Sequence, residues 1–303
     1  MAPISIRGIT KQYGNVLAVN NLNLEAVEGE ILGFLGLNGA GKTTTIRILL
    51  DLLRPNSGQA YLLGHNCQSD GLRARANIGY LPGEMGIYSD MTGREVLDLL
   101  AKLSSQVVDK TLRGELQERL EFPDSDLRRS LRQYSTGMKR KLGLIQAFQS
   151  DPQLLILDEP TEGLDPLMQE SFYRLLLDFK KRGRTVFMSS HVLSEVDRAC
   201  DRIALVRKGE IVLLATVEET RKLAARHVRV SFSEDVNVTP VSEVVEVVEV
   251  RPRLWNLKIE GPLGPLLRQL AALPVHDIEV AEPKLEDVIM KYYRGGNPRE
   301  SKQ

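Results

Sequence analysis

Cysteine is almost absent from this chain of 303 residues: Cys67 and Cys200 are the only two, far apart and outside any C-x-x-C spacing. That excludes a disulfide framework and a structural zinc site, and leaves two inert thiols in a reducing compartment as the expectation. An excess of charge of either sign is missing too. Forty Lys and Arg are balanced by forty Asp and Glu, which argues against a dedicated nucleic-acid binder, so any basic site must be local. Nowhere do about 18 or more apolar residues run uninterrupted, and the opening MAPISIRGIT has no apolar core of a secretory signal. A chain soluble by itself is expected. Its length suggests two domains at about 100–200 residues each.

What is present is an alternation of short apolar runs with helical patterns up to about residue 215. ILGFL (31–35), LLIL (154–157), TVFM (185–188) and IALV (203–206) predict buried strands of a mainly parallel sheet with flanking helices. ISIRGIT and NLNLEA alternate like half-buried strands, and QAYLLG follows a Pro-Asn-Ser-Gly turn, which predicts an antiparallel β element on the N-terminal side. Thr92 and Glu95 form a T-x-x-E capping box before Val96, Leu97, Leu99, Leu100 and Leu103, opening a helical insertion over about 90–150. Beyond about 220 the style changes. HVRVSFS, EVVEVVEV and LWNLKIEG predict strands, and GPLLRQLAAL and KLEDVIMKYY predict helices, together a small α+β domain. The expected organisation is an α/β nucleotide-binding domain at 1–218, an α+β domain at 219–294 and a flexible tail at 295–303.

Gly36 to Thr43, GLNGAGKT, fits G-x-x-x-x-G-K-[ST] at every fixed position, between a predicted strand and a predicted helix. Glycines at 36, 39 and 41 let the backbone curl so that successive N–H groups face phosphate oxygens, and the helix start adds its positive dipole end. Lys42 can then reach the β- and γ-phosphates, and the Thr43 hydroxyl can ligate Mg2+. Gly36, Leu37, Asn38, Gly39, Ala40, Gly41, Lys42, Thr43 and Thr44 are the candidate nucleotide-binding residues. The plainer reading is a glycine-rich turn serving only close packing. The run LLILDE ends a buried strand on Asp158 and Glu159. A carboxylate there needs a partner, so Asp158 is a candidate for the metal and Glu159 for polarising a water. A pair that merely caps the next loop is the alternative. These pieces alone predict a P-loop NTPase, with Mg2+ as its candidate metal.

Between the two lies RQYSTGMKRKL, 132–142, with Ser135 23 residues before Asp158. Here the sequence resembles the ATP-binding subunits of ATP-binding-cassette (ABC) transporters, in which an L-S-G-G-Q motif opens a helix ahead of the acidic strand. Tyr134-Ser135-Thr136-Gly137-Met138 keeps the serine and the second glycine and departs at three positions. Family landmarks follow in order: EPTEGLDP with Asp165 in its aspartate position, SSHVLSEV with His191, and Tyr13 upstream of GNVLAV, matching the aromatic that stacks on adenine. Taken singly, Tyr13 also fits an edge-strand aromatic and His191 a neighbour of a helix cap. One landmark departs: in YLPGEMGIY, Gly83 stands where the family has a glutamine that meets Mg2+, and Glu84 beside it is either a substitute or a solvated loop charge. The likeness spans about residues 4 to 215.

The resemblance implies an ABC-type fold with a mixed core sheet, an antiparallel β element and a helical subdomain, and an enzyme that hydrolyses ATP. Two copies would sandwich two nucleotides, with Lys42 and Thr43 of one facing Ser135, Gly137 and Asp165 of the other. Glu159 would orient or deprotonate water, with His191 and Lys42 at the γ-phosphate. It further implies separate integral-membrane subunits, a place on the cytoplasmic face of the plasma membrane, and, from YSTGMKRKL, the C-terminal domain and EPKLEDVIMKYY, an export-type system. The competing function is a soluble ABC-type ATPase acting on nucleic acid or ribosomes. Arg132, Lys139, Arg140 and Lys141 are expected on exposed helix turns rather than in a nucleic-acid patch, and Val228, Val230 and Phe232 on one buried strand face.

Overall fold

The four hydrophobic residues of ILGFL that flank its glycine are all buried, and the strand they form lies at the middle of a six-stranded sheet. In the computed structural model, which describes residues 1–84, 86, 89–103, 107–240, 245–259, 261–281 and 284–293, the chain divides into two compact units, Met1–Ala215 and Thr216–Gln303. The predicted tail at 295–303 lies outside the described residues, as do the first residues of the predicted strand EVVEVVEV.

In the first unit the strands are β1 (Ile4–Tyr13), β2 (Val16–Glu25), β3 (Ile31–Leu35), β4 (Ser57–Leu62), β5 (His65–Asn66), β6 (Ile78–Leu81), β7 (Leu154–Asp158), β8 (Thr185–Ser190), β9 (Arg202–Arg207) and β10 (Glu210–Thr216), the last ending one residue beyond the unit. The main sheet has the order β10-β9-β3-β8-β7-β6, with parallel pairing of β3 to β8 and β9, and of β7 to β6 and β8. Every residue of β3, β7 and β8 is buried, which is what a parallel sheet covered on both faces requires. Gly33 in mid-strand has a packing cause: a Cβ there would lie 2.8 Å from Cys200 Sγ, on the residue that follows the helix Leu193–Ala199. The second sheet, β2-β1-β4-β5, is antiparallel and stands on the N-terminal side. Helices at Gly93–Leu103, Lys110–Arg119, Asp124–Leu127 and Thr136–Phe148 fill the insertion. The Thr92–Glu95 box is formed, with Thr92 N donating to Glu95 Oε2 at 2.8 Å and Glu95 N to Thr92 Oγ1 at 3.3 Å.

Helix Pro166–Lys181 shows how the pattern becomes packing. Asp165 caps it, Pro166 opens it, and Met168, Phe172, Tyr173, Leu175, Leu176 and Phe179 recur at helical spacing on its buried side. Each such side chain contributes about 1.5–3 kcal/mol on burial, and Phe179 meets Phe148 edge-on with centroids 4.5 Å apart.

In the second unit β11 (Arg226–Phe232), β12 (Val245–Arg251), β13 (Leu254–Ile259) and β14 (Val275–Val280) form an antiparallel sheet of order β12-β13-β11-β14. Val228, Val230 and Phe232 are buried with Trp255 under Leu266 and Leu270 of helix Gly264–Leu270. Trp255 packs against Phe232 at 4.8 Å. β14 has no counterpart among the expected elements, because in VHDIEV polar and apolar residues do not alternate and the strand is largely exposed. The short helix Val217–Lys222, opened by a Thr216–Glu219 capping box, was likewise not anticipated.

Candidate functional site

The loop Gly36–Gly41 leaves the C-terminal end of β3 and runs into helix Lys42–Leu49. Gly39 and Gly41 have φ of 80° and 107°, in the left-handed region that glycine tolerates. At Gly41 a Cβ would come within 2.4 Å of Ala18 O on β2, so no larger residue fits. That helix has no side-chain cap, which leaves first-turn N–H groups and the positive dipole end to an anion. Lys42, almost fully buried, donates from Nζ to Gly36 O at 2.7 Å and lies 3.2 Å from Glu159 Oε1.

β7 delivers the opposing carboxylates. Asp158, at its last position, is 2% exposed. Its Oδ1 accepts from Ser189 Oγ at 2.5 Å and, at the limit of a hydrogen bond, from Thr43 Oγ1 at 3.5 Å. Glu159 stands at φ 49°. A non-glycine residue held there costs of order 1 kcal/mol, and the turn aims its side chain back across the sheet end: Oε2 meets His191 Nδ1 at 2.8 Å while Oε1 faces Lys42. His191 follows β8 and is half exposed. Behind it Glu195 is buried, accepting from Ser190 Oγ at 2.6 Å and from Thr161 Oγ1.

Lys42, Thr43, Asp158, Glu159 and His191 are therefore brought together at the ends of β3, β7 and β8. Ser189, which also accepts from Glu159 N at 3.1 Å, ties the Asp158 carboxylate to the Glu159 main chain and was missed. So were Thr161 and Glu195. Ser189, Ser190 and Glu195 all lie within SSHVLSEV, but nothing in the letters separates a serine that holds a carboxylate from one that faces water. Gly83 and Glu84 border a cavity of about 640 Å3 shared with Thr43, Asp158 and Glu159. A Cβ on Gly83 would lie 3.3 Å from Asp158 Oδ2, so this position does face the acidic strand end; Glu84 is exposed.

The remaining candidates lie apart from this cluster's hydrogen bonds. Tyr13 ends β1, half exposed, with Lys11 Nζ 5.2 Å from its ring centre. Ser135 is exposed and caps helix Thr136–Phe148 through Met138 N at 3.2 Å. Asp165 caps the next long helix through Met168 N at 3.0 Å. Gly137 packs on Gly163, whose carbonyl would be 2.7 Å from a Cβ at 137.

One expectation for RQYSTGMKRKL needs correcting. Arg140 is not on an exposed turn: it is 4% exposed, with its guanidinium donating to main-chain carbonyls. Tyr134, one of the three departures, is a buried anchor. Its hydroxyl donates to Asp126 O at 2.7 Å, its ring meets Phe122 edge-on, and a Cβ on Gly93 would clash with the hydroxyl. Burial, followed by the nearby Asp126, raises the phenol above its ordinary pKa.

Among known proteins, the family model described as ABC transporter matches residues 19–162. The chain is 33% identical to a bacitracin transport ATP-binding protein of Bacillus licheniformis over 97% of this chain and 98% of that one. It is 31% identical to a daunorubicin resistance ATP-binding protein of Streptomyces coeruleorubidus over 95% and 94% of the two. The fold matches a solved ATP-binding subunit of an ABC transporter with TM-score 0.66 and 26% identity, covering 72% of this chain and 92% of that one. No helix among the described residues is long and apolar enough to cross a membrane.

Proposed function

The chain belongs to the ABC transporter family as an ATP-binding subunit, an ATPase whose turnover drives transport, and on that premise we propose how its residues divide the work. The observation that carries the assignment is the single hydrogen-bonded cluster of Lys42, Glu159 and His191 beside Thr43 and Asp158. The loop amides of Gly36–Thr44 bind the phosphates, Tyr13 stacks on the base, and Lys42 exchanges its contact with Glu159 for one with the β- and γ-phosphates. Freed from Lys42 but still held by His191, Glu159 accepts a proton from the attacking water. His191 fixes the carboxylate and approaches the γ-phosphate, and Lys42 offsets the negative charge that builds there.

Thr43 Oγ1 and Asp158 Oδ1 are hard oxygen donors beside an open cavity. They suit Mg2+, which takes one or two protein oxygens and completes its shell from phosphates and water. When bound, Mg2+ supplies charge neutralisation at the phosphates. Gly83 offers it no side chain.

A second copy of the chain supplies Ser135, Gly137 and Asp165 across the nucleotide, as the exposure of Ser135 permits. Separate integral-membrane subunits hold the pair at the cytoplasmic face. The relatives named for bacitracin transport and daunorubicin resistance favour export of a substrate chosen by those membrane subunits.

Glu159→Gln tests the core of this reading. It removes the proton acceptor and keeps the shape, so ATP binding is retained, turnover falls by about 100-fold or more, and light scattering shows a dimer with ATP and Mg2+ present. Hydrolysis at the parental rate would dismiss Glu159.

A further inference from the structure

Arg140 lies in the second turn of the helix that Ser135 caps, and it is the buried cation nearest the acidic strand end besides Lys42 in the hydrogen-bond network of the site. Removing a guanidinium from water costs several kcal/mol unless its donors are met. Burial pulls Arg140 below its ordinary pKa, opposed by Glu162, Asp158 and Glu159. Its donors are met mainly by main chain. Nη1 donates to Pro82 O at 2.9 Å, Nη2 to Gly83 O at 2.7 Å and Nε to Glu162 O at 3.2 Å; Asp158 O is 3.5 Å from Nη1, and Glu162 Oε2 is 3.6 Å from Nη2.

These carbonyls come from two different loops. Pro82 and Gly83 follow β6; Asp158 and Glu162 bracket the turn after β7 that carries Glu159. Only a planar fork with donors on both sides can span them. The segment so held is the one whose residue 83 points at Asp158, close enough that a Cβ would sit 3.3 Å from Oδ2. No side chain from position 83 can link that loop to the acidic strand end. Arg140 reaches the main chain of both.

We propose that Arg140 is a positioning residue that ties the 82–84 loop, the Glu159–Glu162 turn and the Ser135-capped helix into one unit, so that a shift of that helix is passed to the carboxylates and to the loop through one side chain. The reading of Asp158 and Glu159 given above underlies this proposal. Arg140 borders the cavity lined by Thr43, Asp158 and Glu159, but it is 4% exposed and its guanidinium is engaged by main-chain carbonyls.

The test uses the full chain with Arg140→Gln and Arg140→Lys, measuring steady-state ATP hydrolysis and amide hydrogen exchange without nucleotide. Glutamine lowers kcat about 10-fold or more while KM for ATP stays within about threefold, because the loop amides and Lys42 are untouched. Lysine, a point donor, recovers part of that loss. Exchange speeds up in peptides covering 78–84 and 159–163 and is unchanged in 36–45. If the glutamine variant does not fold, the lysine variant decides by the same signs at smaller size. Parental kcat in both variants, or a lower kcat with KM raised in proportion and exchange faster in 36–45 as well, overturns the proposal. Failure of the underlying reading shows separately, as continued hydrolysis by Glu159→Gln, while the exchange result stands independently of it.

Discussion

Each of the two units holds a histidine paired with a carboxylate, and the pairs look alike. His191 Nδ1 lies 2.8 Å from Glu159 in the first, and His227 Nε2 lies 3.1 Å from Asp287 in the second; both histidines are about half exposed. What differs is the surroundings. Glu159 is also held by Lys42, stands at a positive φ and follows a buried aspartate bonded to Ser189. Asp287 sits in the first turn of helix Leu285–Tyr293, where a carboxylate is also favoured by the helix dipole. The same contrast runs through the whole molecule. Among the described residues, every buried polar or charged side chain except Thr220 belongs to the first unit. Buried polar groups cost stability unless they are satisfied, and Lys42, Asp158, Ser189, Ser190 and Glu195 gather at the candidate site.

Three substitutions probe that contrast, in descending effect on turnover. His191→Ala leaves Glu159 unoriented and removes a group from the γ-phosphate, so kcat falls about 100-fold while ATP binding changes little. A loss below about threefold would put the two histidines in one class. Ser189→Ala comes next. It takes a 2.5 Å donor from Asp158 and an acceptor from Glu159 N in a fully buried place. Residues that orient a metal-side ligand typically matter 10-fold or more. We expect about a 10-fold loss in kcat, a higher Mg2+ requirement, and about 1–3 kcal/mol lost in denaturant unfolding from the unmet carboxylate oxygen. An unaltered Mg2+ profile would reduce Ser189 to a packing residue.

The sequence carried the first unit's framework well, for reasons that apply less to its finer contacts. ILGFL, LLIL, TVFM and IALV each became strands of the main sheet, because a continuous apolar run between turn signals has few other uses. GLNGAGKT was legible because backbone curvature demands glycine at fixed positions. β6 and β14 were not: β6 has only four residues, and β14 displays polar side chains to water. The role of Arg140 was invisible for a different reason. Its partners are carbonyls, which every residue has, so no letter in the sequence records them. Tyr134 shows the same limit. Nothing in its departure from a leucine shows that it fills a space that Gly93 leaves open and hydrogen-bonds Asp126 O.

The smallest effect is expected at His227, where it sharpens the comparison most. The ring is about half exposed and its contact with Asp287 is a surface pair, a class worth about 0–1 kcal/mol after screening and side-chain entropy. The strand does not depend on the imidazole: His227 pairs with Lys258 across β13, and its carbonyl accepts from Ala281 N at 2.9 Å, both through main chain. His227→Ala should therefore leave kcat and KM within about twofold and lower stability by less than about 1 kcal/mol. A double-mutant cycle with Asp287→Asn, read by denaturant unfolding, isolates the pair. Coupling near zero, beside a large kinetic coupling between His191→Ala and Glu159→Gln, would locate the difference between two similar geometries in the lysine and buried aspartate that only one possesses. A tenfold loss of turnover on removing His227 would instead make the second unit part of the ATPase cycle.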